Sequence, residues 1–266
     1  MEFDLDKITN IVKTSAQNVL LPFFANIERQ YKSDGSVVTQ VDHDMQRTIM
    51  LHLKELYPDV LMLAEEMSYD EQLNVMESGK PFWCLDPLDG TNNFAAGVPY
   101  FSVSLALLVD NKVKIGIVYD PIRDELFSAN KNGSRLNNVE IKLKQSDLLL
   151  KKSIGIIDLK RLESTLATKL VIDAPFSSLR SFGSVALDWC WLAMNRGHVY
   201  LHGSSNIWDY VAGNYIFKMA GGYSATLNGD EVFINKIIKR SSVAAVDELL
   251  FNEWCEWISK HYSDPE

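Results

Sequence analysis

The segment WCLDPLDGTNNF, residues 83–94, carries the strongest local signal in the sequence. It begins with the apolar residues of a buried strand and continues into a turn that holds two carboxylates, Asp86 and Asp89. Pro87 stiffens this turn, and Gly90 lets the backbone bend or approach a ligand closely. Because two carboxylates held at close range repel each other, a rigid turn of this kind favours a cation between them. Asp, Pro and Gly are also ordinary turn residues, so the segment alone leaves a simple turn as an alternative.

Carboxylate ligands indicate a hard cation, Mg²⁺ or Ca²⁺, rather than zinc. The sequence lacks the Asp spacing and the distal Glu of an EF-hand, and it contains no P-loop motif. Thr91 or Asn92 is expected to cap a short helix that follows the turn. The backbone N–H groups of Gly90 and Thr91, at the start of that helix, could then hold a phosphate beside the metal.

Apolar periodicity predicts both helices and strands around this segment. The first half is predicted to contain helices at 4–31, kinked or split at Pro22, and at 42–56, and strands at 60–64, 82–85, 101–109, 113–119 and 125–129, with a tight turn at 110–111. The second half alternates strands at 153–157, 178–182, 198–202 and 242–246 with helices at 163–170, 184–195, 207–219 and 248–260. This mixture predicts an α/β or α+β layered sandwich, with a division near residues 135–152.

Composition excludes several classes of protein. The chain has 266 residues, of which 47% are hydrophobic and 23% charged, as in an ordinary globular protein. Its net charge of −9 makes nucleic acid an unlikely partner, because binding to that backbone needs a basic face. Three distant cysteines, Cys84, Cys190 and Cys255, predict reduced, buried thiols. The N-terminal region has neither signal-peptide features nor a membrane-spanning run, so we expect a soluble, cytoplasmic protein without membrane association.

Two further segments add carboxylates to the pattern. Glu65 and Glu66 follow the strand predicted at 60–64, and ligand-binding groups gather at strand ends in open α/β sheets. Asp209 lies in the first turn of the helix predicted at 207–219. Each has an ordinary explanation when taken alone, either a solvated loop or an acid that interacts favourably with the helix dipole. Their order along the chain, on either side of residues 83–94, is what makes them informative.

Together these motifs resemble the inositol monophosphatase family. In chain order they are KSDGSVVTQVD (32–42), AEE (64–66), DPLDGT (86–91), RSFGSVA (180–186) and WDYVAG (208–213). The resemblance covers nearly the whole chain and implies a magnesium-dependent, lithium-sensitive phosphatase, a homodimer of this chain. It also implies a layered αβαβα sandwich of the inositol monophosphatase / fructose-1,6-bisphosphatase type. The expected organisation is a single domain over 1–266, with a metal-binding α+β half at about 1–145 and an α/β half on the substrate side at 146–266.

The resemblance further implies an active site with two to three Mg²⁺ ions. Their ligands would be Glu65, Asp86, the main-chain carbonyl of Leu88, Asp89 and Asp209. Without metal, so many carboxylates would repel a phosphate dianion, so metal would control substrate binding as well as the reaction. Catalytic roles would fall on Glu65, Thr91 and Asp42, with Thr91, aided by Asp42, orienting the attacking water. No covalent phospho-enzyme is required.

A small phosphorylated metabolite is the implied substrate, with inositol 1-phosphate the default among polyol and sugar phosphates. The substrate-binding residues would be Asp89, Gly90, Thr91, Gly183, Ser184, Val185, His202 and Asp209. The loop 32–39 would be mobile and close over the metals. His202 departs from the family, in which many inositol-acting members carry an acid at this position. An imidazole can accept one hydrogen bond and donate another, so the departure concerns the identity of the alcohol and not the metal chemistry.

The same resemblance leaves other functions open. Nucleotide 3′-phosphatases, NADP phosphatases, histidinol-phosphate phosphatases and fructose-1,6-bisphosphatases share this superfamily. A nucleotide substrate would be favoured by a larger loop near 159–180, where this sequence has a short linker. Some bacterial relatives bind the transcription machinery, so a regulator with a protein partner is a further alternative.

Overall fold

The structure, a computed structural model, describes residues 2–26, 30, 31, 37–145 and 147–262. The helices within these ranges are α1 Leu5–Val19, α2 Gln40–Leu56, α3 Tyr69–Glu77, α4 Thr91–Ala96, α5 Ser164–Ile172, α6 Val185–Ala193, α7 Ile207–Met219 and α8 Glu248–Ser259. The strands are β1 Gln30–Tyr31, β2 Val37–Val38, β3 Leu61–Ala64, β4 Phe82–Asp89, β5 Ser102–Val109, β6 Lys112–Asp120, β7 Glu125–Asn130, β8 Gly133–Leu136, β9 Val139–Ile141, β10 Ile154–Asp158, β11 Ser178–Arg180, β12 Val199–Ser205, β13 Tyr223–Ala225 and β14 Arg240–Ala245. Short 3₁₀ turns occupy Leu21–Phe23, Leu150–Lys152 and Leu159–Arg161.

Two sheets organise the described chain beyond residue 60. The seven-stranded sheet has the order β3-β4-β5-β6-β7-β8-β9, and only the β3–β4 pair is parallel. The five-stranded sheet has the order β11-β10-β12-β14-β13, in which β10 runs parallel to both of its neighbours. A separate small ribbon pairs β1 with β2.

Helices cover these sheets to give five layers. The pair α1 and α2 packs on the seven-stranded sheet through β6 and β4. The pair α6 and α7 lies between the two sheets, and α8 packs on β12, β13 and β14 of the smaller sheet. The layered αβαβα sandwich predicted from the sequence is therefore confirmed.

Strand β5 shows why the centre of the large sheet is continuously apolar in sequence. Successive side chains of a strand point to opposite faces. Val103 and Leu105 accordingly join the core beneath α1 and α2, whereas Ala106 and Leu108 join the core between the sheets. A strand buried on both faces cannot alternate apolar with polar residues, which is why it reads as an apolar run.

The predicted helix at 4–31 is wrong over its second half. Helix α1 ends at Val19, Pro22 lies in the 3₁₀ turn, and residues 30 and 31 form a strand, while 27–29 lie outside the described residues. Proline lacks the N–H that would continue the helical hydrogen bonds, so the pattern breaks there. Helix α3 and strands β2, β8, β9 and β13 were not predicted from the sequence. The helix predicted at 207–219 and the turn at 110–111 are confirmed.

The cysteines are free, as predicted, although Cys255 is only partly buried. The division of the chain near residue 145 stays a prediction. Across the described ranges, the length and apolar character needed to cross a lipid bilayer do not occur together in any helix.

Candidate active site

The site begins where β4 leaves the seven-stranded sheet. The pairing of β4 with β5 shifts register between Asp86 and Asp89, so the strand bulges at the acidic turn. The backbone N–H of Leu88 donates to Oδ1 of Asp86 at 3.0 Å, which fixes that buried carboxylate. Helix α4 begins at Thr91 and is capped by Gly90, in the left-handed conformation at φ 96°. The predicted cap at Thr91 or Asn92 is therefore wrong by one residue or more, because the bend needs a glycine backbone.

Gly90 also lies against neighbouring backbone. A Cβ atom there would come within 3.2 Å of the carbonyl oxygens of Gly183 and Tyr100. Asn93 reinforces this approach, because its Nδ2 donates to the carbonyls of Tyr100 at 2.8 Å and Phe182 at 2.7 Å. The acidic turn and the 180–186 segment are thereby held together.

Asp89 is held by the start of α6. Its Oδ2 accepts from Ser184 Oγ at 2.6 Å and from the N–H of Ala186 at 2.7 Å, and its Oδ1 accepts from the N–H of Val185 at 3.2 Å. Gly183 and Val185 line the cavity into which Asp89 faces. Ser184 is fully buried and lies behind Asp89, not on the cavity wall. Ser184 therefore positions the Asp89 carboxylate through this hydrogen bond.

Asp209 arrives from the first turn of α7. Its Oδ2 accepts from the N–H of Asn206 at 2.8 Å, as part of a capping box. Glu65 follows β3, and its N–H donates to the carbonyl of Leu85 at 3.1 Å, on the neighbouring strand β4. These contacts position two acids, distant in sequence, beside the acidic turn.

The four carboxylates share one cavity of about 380 Å³. It is lined by Glu65, Asp86, Leu88, Asp89, Gly90, Thr91, Gly183, Val185, His202 and Asp209, among others. The structure therefore brings together every predicted site residue except Ser184 and Asp42, which lie behind the wall.

Like charges dominate this cavity. Burial raises the pKa of Asp86 well above its usual range, and the charges of Glu65, Asp89 and Asp209 raise it further. Burial also raises the pKa of Asp89 to about 6, although its hydrogen bonds from the start of α6 act in the opposite direction. The pKa of Asp209 is raised well above its usual range by burial and by the charges of Glu65 and Asp89. A site of this kind is stabilised by taking up protons or a cation.

The residues present fit a hard divalent cation. Within the described chain, Oδ2 of Asp86 and Oδ1 of Asp209 accept no hydrogen bond, although the other oxygen of each carboxylate does. In that part of the chain, no group of three or more His, Cys, Asp or Glu side chains is arranged so that it could hold a metal ion without adjustment. An ion here would be held partly through water or after side-chain adjustment, and Mg²⁺ usually keeps several of its waters.

A second group of contacts joins Thr91 to Asp42. Thr91 Oγ1 lies 3.1 Å from Oδ1 of Asp42 and 3.0 Å from the carbonyl oxygen of Leu88, and it donates to one of them. The other oxygen of Asp42 accepts from the N–H of Thr39 at 2.8 Å and from Thr39 Oγ1 at 2.6 Å. Burial raises the pKa of Asp42 to about 6, against the lowering effect of the Thr39 bonds.

The same cavity is lined by four further charged residues that were not predicted from the sequence. They are Asp158, Arg161, Asp188 and Lys239. Asp158 ends β10 beside His202 on β12, and the strand-end rule could have found it. Arg161 lies in a 3₁₀ turn and Lys239 precedes β14, so no local pattern marked them. The predicted mobile loop at 32–39 lies outside the described residues over 32–36.

Comparison with known proteins agrees with this architecture. The model of the inositol monophosphatase family matches residues 4–258. The chain belongs to the inositol monophosphatase family. The resemblance stated from the sequence motifs is therefore confirmed.

The relatives of this chain include proteins named inositol monophosphatase and proteins named Nus factor SuhB. It is 36% identical over 213 residues to Inositol monophosphatase 1 of Solanum lycopersicum, with 76% of each chain covered. It is 34% identical over 201 residues to Nus factor SuhB of Haemophilus influenzae, with 74% of each chain covered. Among solved structures, the IMPase of Thermotoga maritima is similar with a TM-score of 0.83, 25% identity and 96% of each chain covered.

Proposed function

We propose that this member of the inositol monophosphatase family is a cytoplasmic, Mg²⁺-dependent phosphomonoesterase that acts on a small polyol or sugar phosphate. The observation that carries the proposal is the convergence of Glu65, Asp86, Asp89 and Asp209 on one cavity at the end of β4. The family is generally metal-dependent, which agrees with this donor set. Two to three ions would be held by these four carboxylates together with the main-chain carbonyl of Leu88.

When bound, Mg²⁺ would supply positive charge that offsets the carboxylates and the phosphate and that makes a water molecule more acidic. The chain's own residues would position the reactants. Thr91 Oγ1, held between Asp42 and the Leu88 carbonyl, can accept a hydrogen bond from the attacking water while it donates to Asp42. With its pKa near 6, Asp42 is ionised above neutral pH and can receive a proton passed through Thr91.

The phosphate would lie beside the backbone N–H groups of Gly90 and Thr91, which line the same cavity. The alcohol would extend towards Val185, Asp209 and His202. Inositol 1-phosphate is the default substrate of this proposal. Nucleotide, NADP, histidinol-phosphate and fructose 1,6-bisphosphate substrates are the alternatives that a substrate panel would distinguish.

The test is phosphate release from a panel of about thirty phosphorylated metabolites. The wild type should release phosphate from polyol or sugar phosphates with Mg²⁺, and lithium should inhibit that release. Asp86→Asn should be inactive, whereas Glu77→Gln, which removes an exposed carboxylate from α3, should match the wild type. No release from any ester at saturating Mg²⁺ would contradict the proposal.

Similarity to Nus factor SuhB of Haemophilus influenzae supports a second candidate, a partner protein of the transcription machinery. The test is co-purification of known transcription proteins with the wild type and with Asp86→Asn. Retention by both would support a role that does not need catalysis, and retention by neither would contradict it. The proposed homodimer is tested separately by light scattering on the purified chain, where a monomeric mass would contradict it.

A further inference from the structure

The cavity that holds the four carboxylates beside β4 also contains positive charge. Arg161 and Lys239 line it, and together we call them the cationic rim. Of the described residues that line the cavity, these two are the lysine and arginine side chains present. All the other acidic or basic side chains that line the cavity, apart from His202, are carboxylates, so the presence of two cations among them calls for a physical reason.

Arg161 is positioned by a chain of contacts. Its Nη1 donates to Oδ2 of Asp158, and Oδ1 of Asp158 accepts from the N–H of Lys160 at 3.0 Å. The same Asp158 Oδ2 lies 3.2 Å from Nε2 of His202. Asp158 and His202 are register partners on the parallel strands β10 and β12, so the sheet itself sets this contact.

Backbone packing fixes the turn that carries Arg161. A Cβ atom at Gly203 would lie 1.8 Å from the carbonyl oxygen of Arg161, which no side chain could tolerate. The 3₁₀ turn Leu159–Arg161 therefore rests directly on β12 at this glycine. The fold therefore fixes the backbone position from which the Arg161 side chain reaches the cavity.

His202 lies in the cavity wall and contacts Asp158. It is only 1% exposed, and its Nδ1 accepts from the N–H of Ser204 at 3.3 Å. The ring proton therefore belongs on Nε2, which lies 3.2 Å from Oδ2 of Asp158. His202 thus contacts the carboxylate that holds Arg161, and it acts as a positioning residue beside the place proposed for the alcohol.

Arg161 keeps most of its binding capacity. A guanidinium carries five N–H donors in a planar fork, and only Nη1 has a partner among the described residues. The side chain is 51% exposed. Its charge also lowers the pKa of Asp209, so the guanidinium lies close enough to interact with that carboxylate. Lys239 precedes β14, whose first residue pairs with Ser205, so it stands where β12 leaves the sheet towards Asp209.

We propose that the cationic rim binds a second acidic group on the alcohol part of the substrate, so that the preferred substrates are phosphomonoesters carrying a carboxylate or a further phosphate. The inference rests on the proposed function and specifies the substrate class of the same site. A neutral polyol needs hydrogen-bond partners for its hydroxyl groups, and two cations add little to its binding affinity. An acidic group, by contrast, forms charge-assisted hydrogen bonds with both cations.

The experiment compares esters that differ in a single group. One pair is glycerol 3-phosphate and 3-phosphoglycerate, and the other is sorbitol 6-phosphate and 6-phosphogluconate. The wild type should show a higher kcat/KM for the acidic member of at least one pair, by about tenfold. Arg161→Gln and Lys239→Gln should each remove most of that acidic preference, since losing one hydrogen bond between charged groups costs roughly tenfold or more. His202→Gln should lower it mainly through KM.

The matched control is Lys160→Gln, which removes a positive charge from the same turn without touching the cavity. It should leave both members of each pair as in the wild type. An equal loss on acidic and neutral members in Arg161→Gln would overturn the inference, because it would show that Arg161 contacts the reacting phosphate. A wild-type preference for the neutral members would overturn it too.

Failure of the proposed function would look different, with no phosphate release from any ester. The inference is then tested by calorimetric binding of 3-phosphoglycerate and 6-phosphogluconate in the presence of Mg²⁺. Binding to the wild type that weakens about tenfold in Arg161→Gln supports the cationic rim. Equal binding to the two proteins, or none to either, overturns it.

Discussion

Replacing Asp86 by Asn should make the metal-free protein more stable while it abolishes activity. The Asn side chain keeps the Oδ1 acceptor for the Leu88 N–H and removes a charge that is 2% exposed among three other carboxylates. Natural active sites often hold such destabilising groups because function requires them. Opposite changes in stability and activity are the signature that separates a functional carboxylate from a structural one.

The magnitude can be worked from Asp89, whose pKa is raised from 3.8 to about 6. At about 1.4 kcal/mol for each tenfold change in proton affinity, ionised Asp89 costs the folded state about 3 kcal/mol. Asp86 accepts one hydrogen bond where Asp89 accepts three, so its penalty is at least as large. The substitution should raise the free energy of unfolding at pH 8 by about 3 kcal/mol, or Tm by roughly 6–12 °C for a chain of this size.

The assay is thermal unfolding in a chelating buffer at pH 8, with and without Mg²⁺, alongside phosphate release. The contrast is Asp120→Asn, since buried Asp120 is paired with Arg123 at 2.8 Å and its loss should destabilise the protein. Asp86→Asn should also lose the rise in Tm that Mg²⁺ gives the wild type. A metal-free Asp86→Asn less stable than the wild type, or one that still responds to Mg²⁺, would refute the reasoning.

Three further predictions follow from the same contacts. Thr91→Ala should lower kcat by about a hundredfold with little change in Tm, whereas Thr91→Ser keeps the hydroxyl that faces Asp42 and should retain most of the activity. An equal loss of kcat in the two variants would count against a role for this hydroxyl in catalysis. Gly203→Ala should lower Tm by about 6 °C or more, from about 3 kcal/mol or more of overpacking against the Arg161 carbonyl, and should reduce the preference for acidic esters; an unchanged Tm would contradict the packing. The raised pKa of Asp89 gives the metal-free protein stability that is present below about pH 4 and lost as the pH rises through about 6, so Mg²⁺ should raise Tm more at pH 8 than at pH 5; a larger rise at pH 5 would reverse the expected sign.

Local signals explain what the sequence could predict. The residues that mark the acidic turn after β4 are close together in the sequence, and so are those that mark the start of α7. Both elements and their carboxylates could therefore be identified without coordinates. The family motifs then placed Glu65 beside them. Helix α1 was overextended because its apolar spacing continues past Pro22 although the helix does not.

Non-local contacts explain what the sequence could not predict. Ser184 belongs to a motif expected to touch substrate, and only the approach of α6 to β4 shows that it holds Asp89. The pairing of Asp158 with His202 depends on the register of two strands more than forty residues apart. Arg161 reaches the cavity because Gly203 admits its turn, a backbone contact that no periodicity encodes.

An anomalous difference map from crystals grown with Mn²⁺ in place of Mg²⁺ tests the proposed metal site most directly. Peaks are expected in the cavity at the end of β4, in contact with the carboxylates of Asp86 and Asp209. Ordered side chains at Glu65, Asp86, Asp89 and Asp209 with no anomalous peak among them would contradict it.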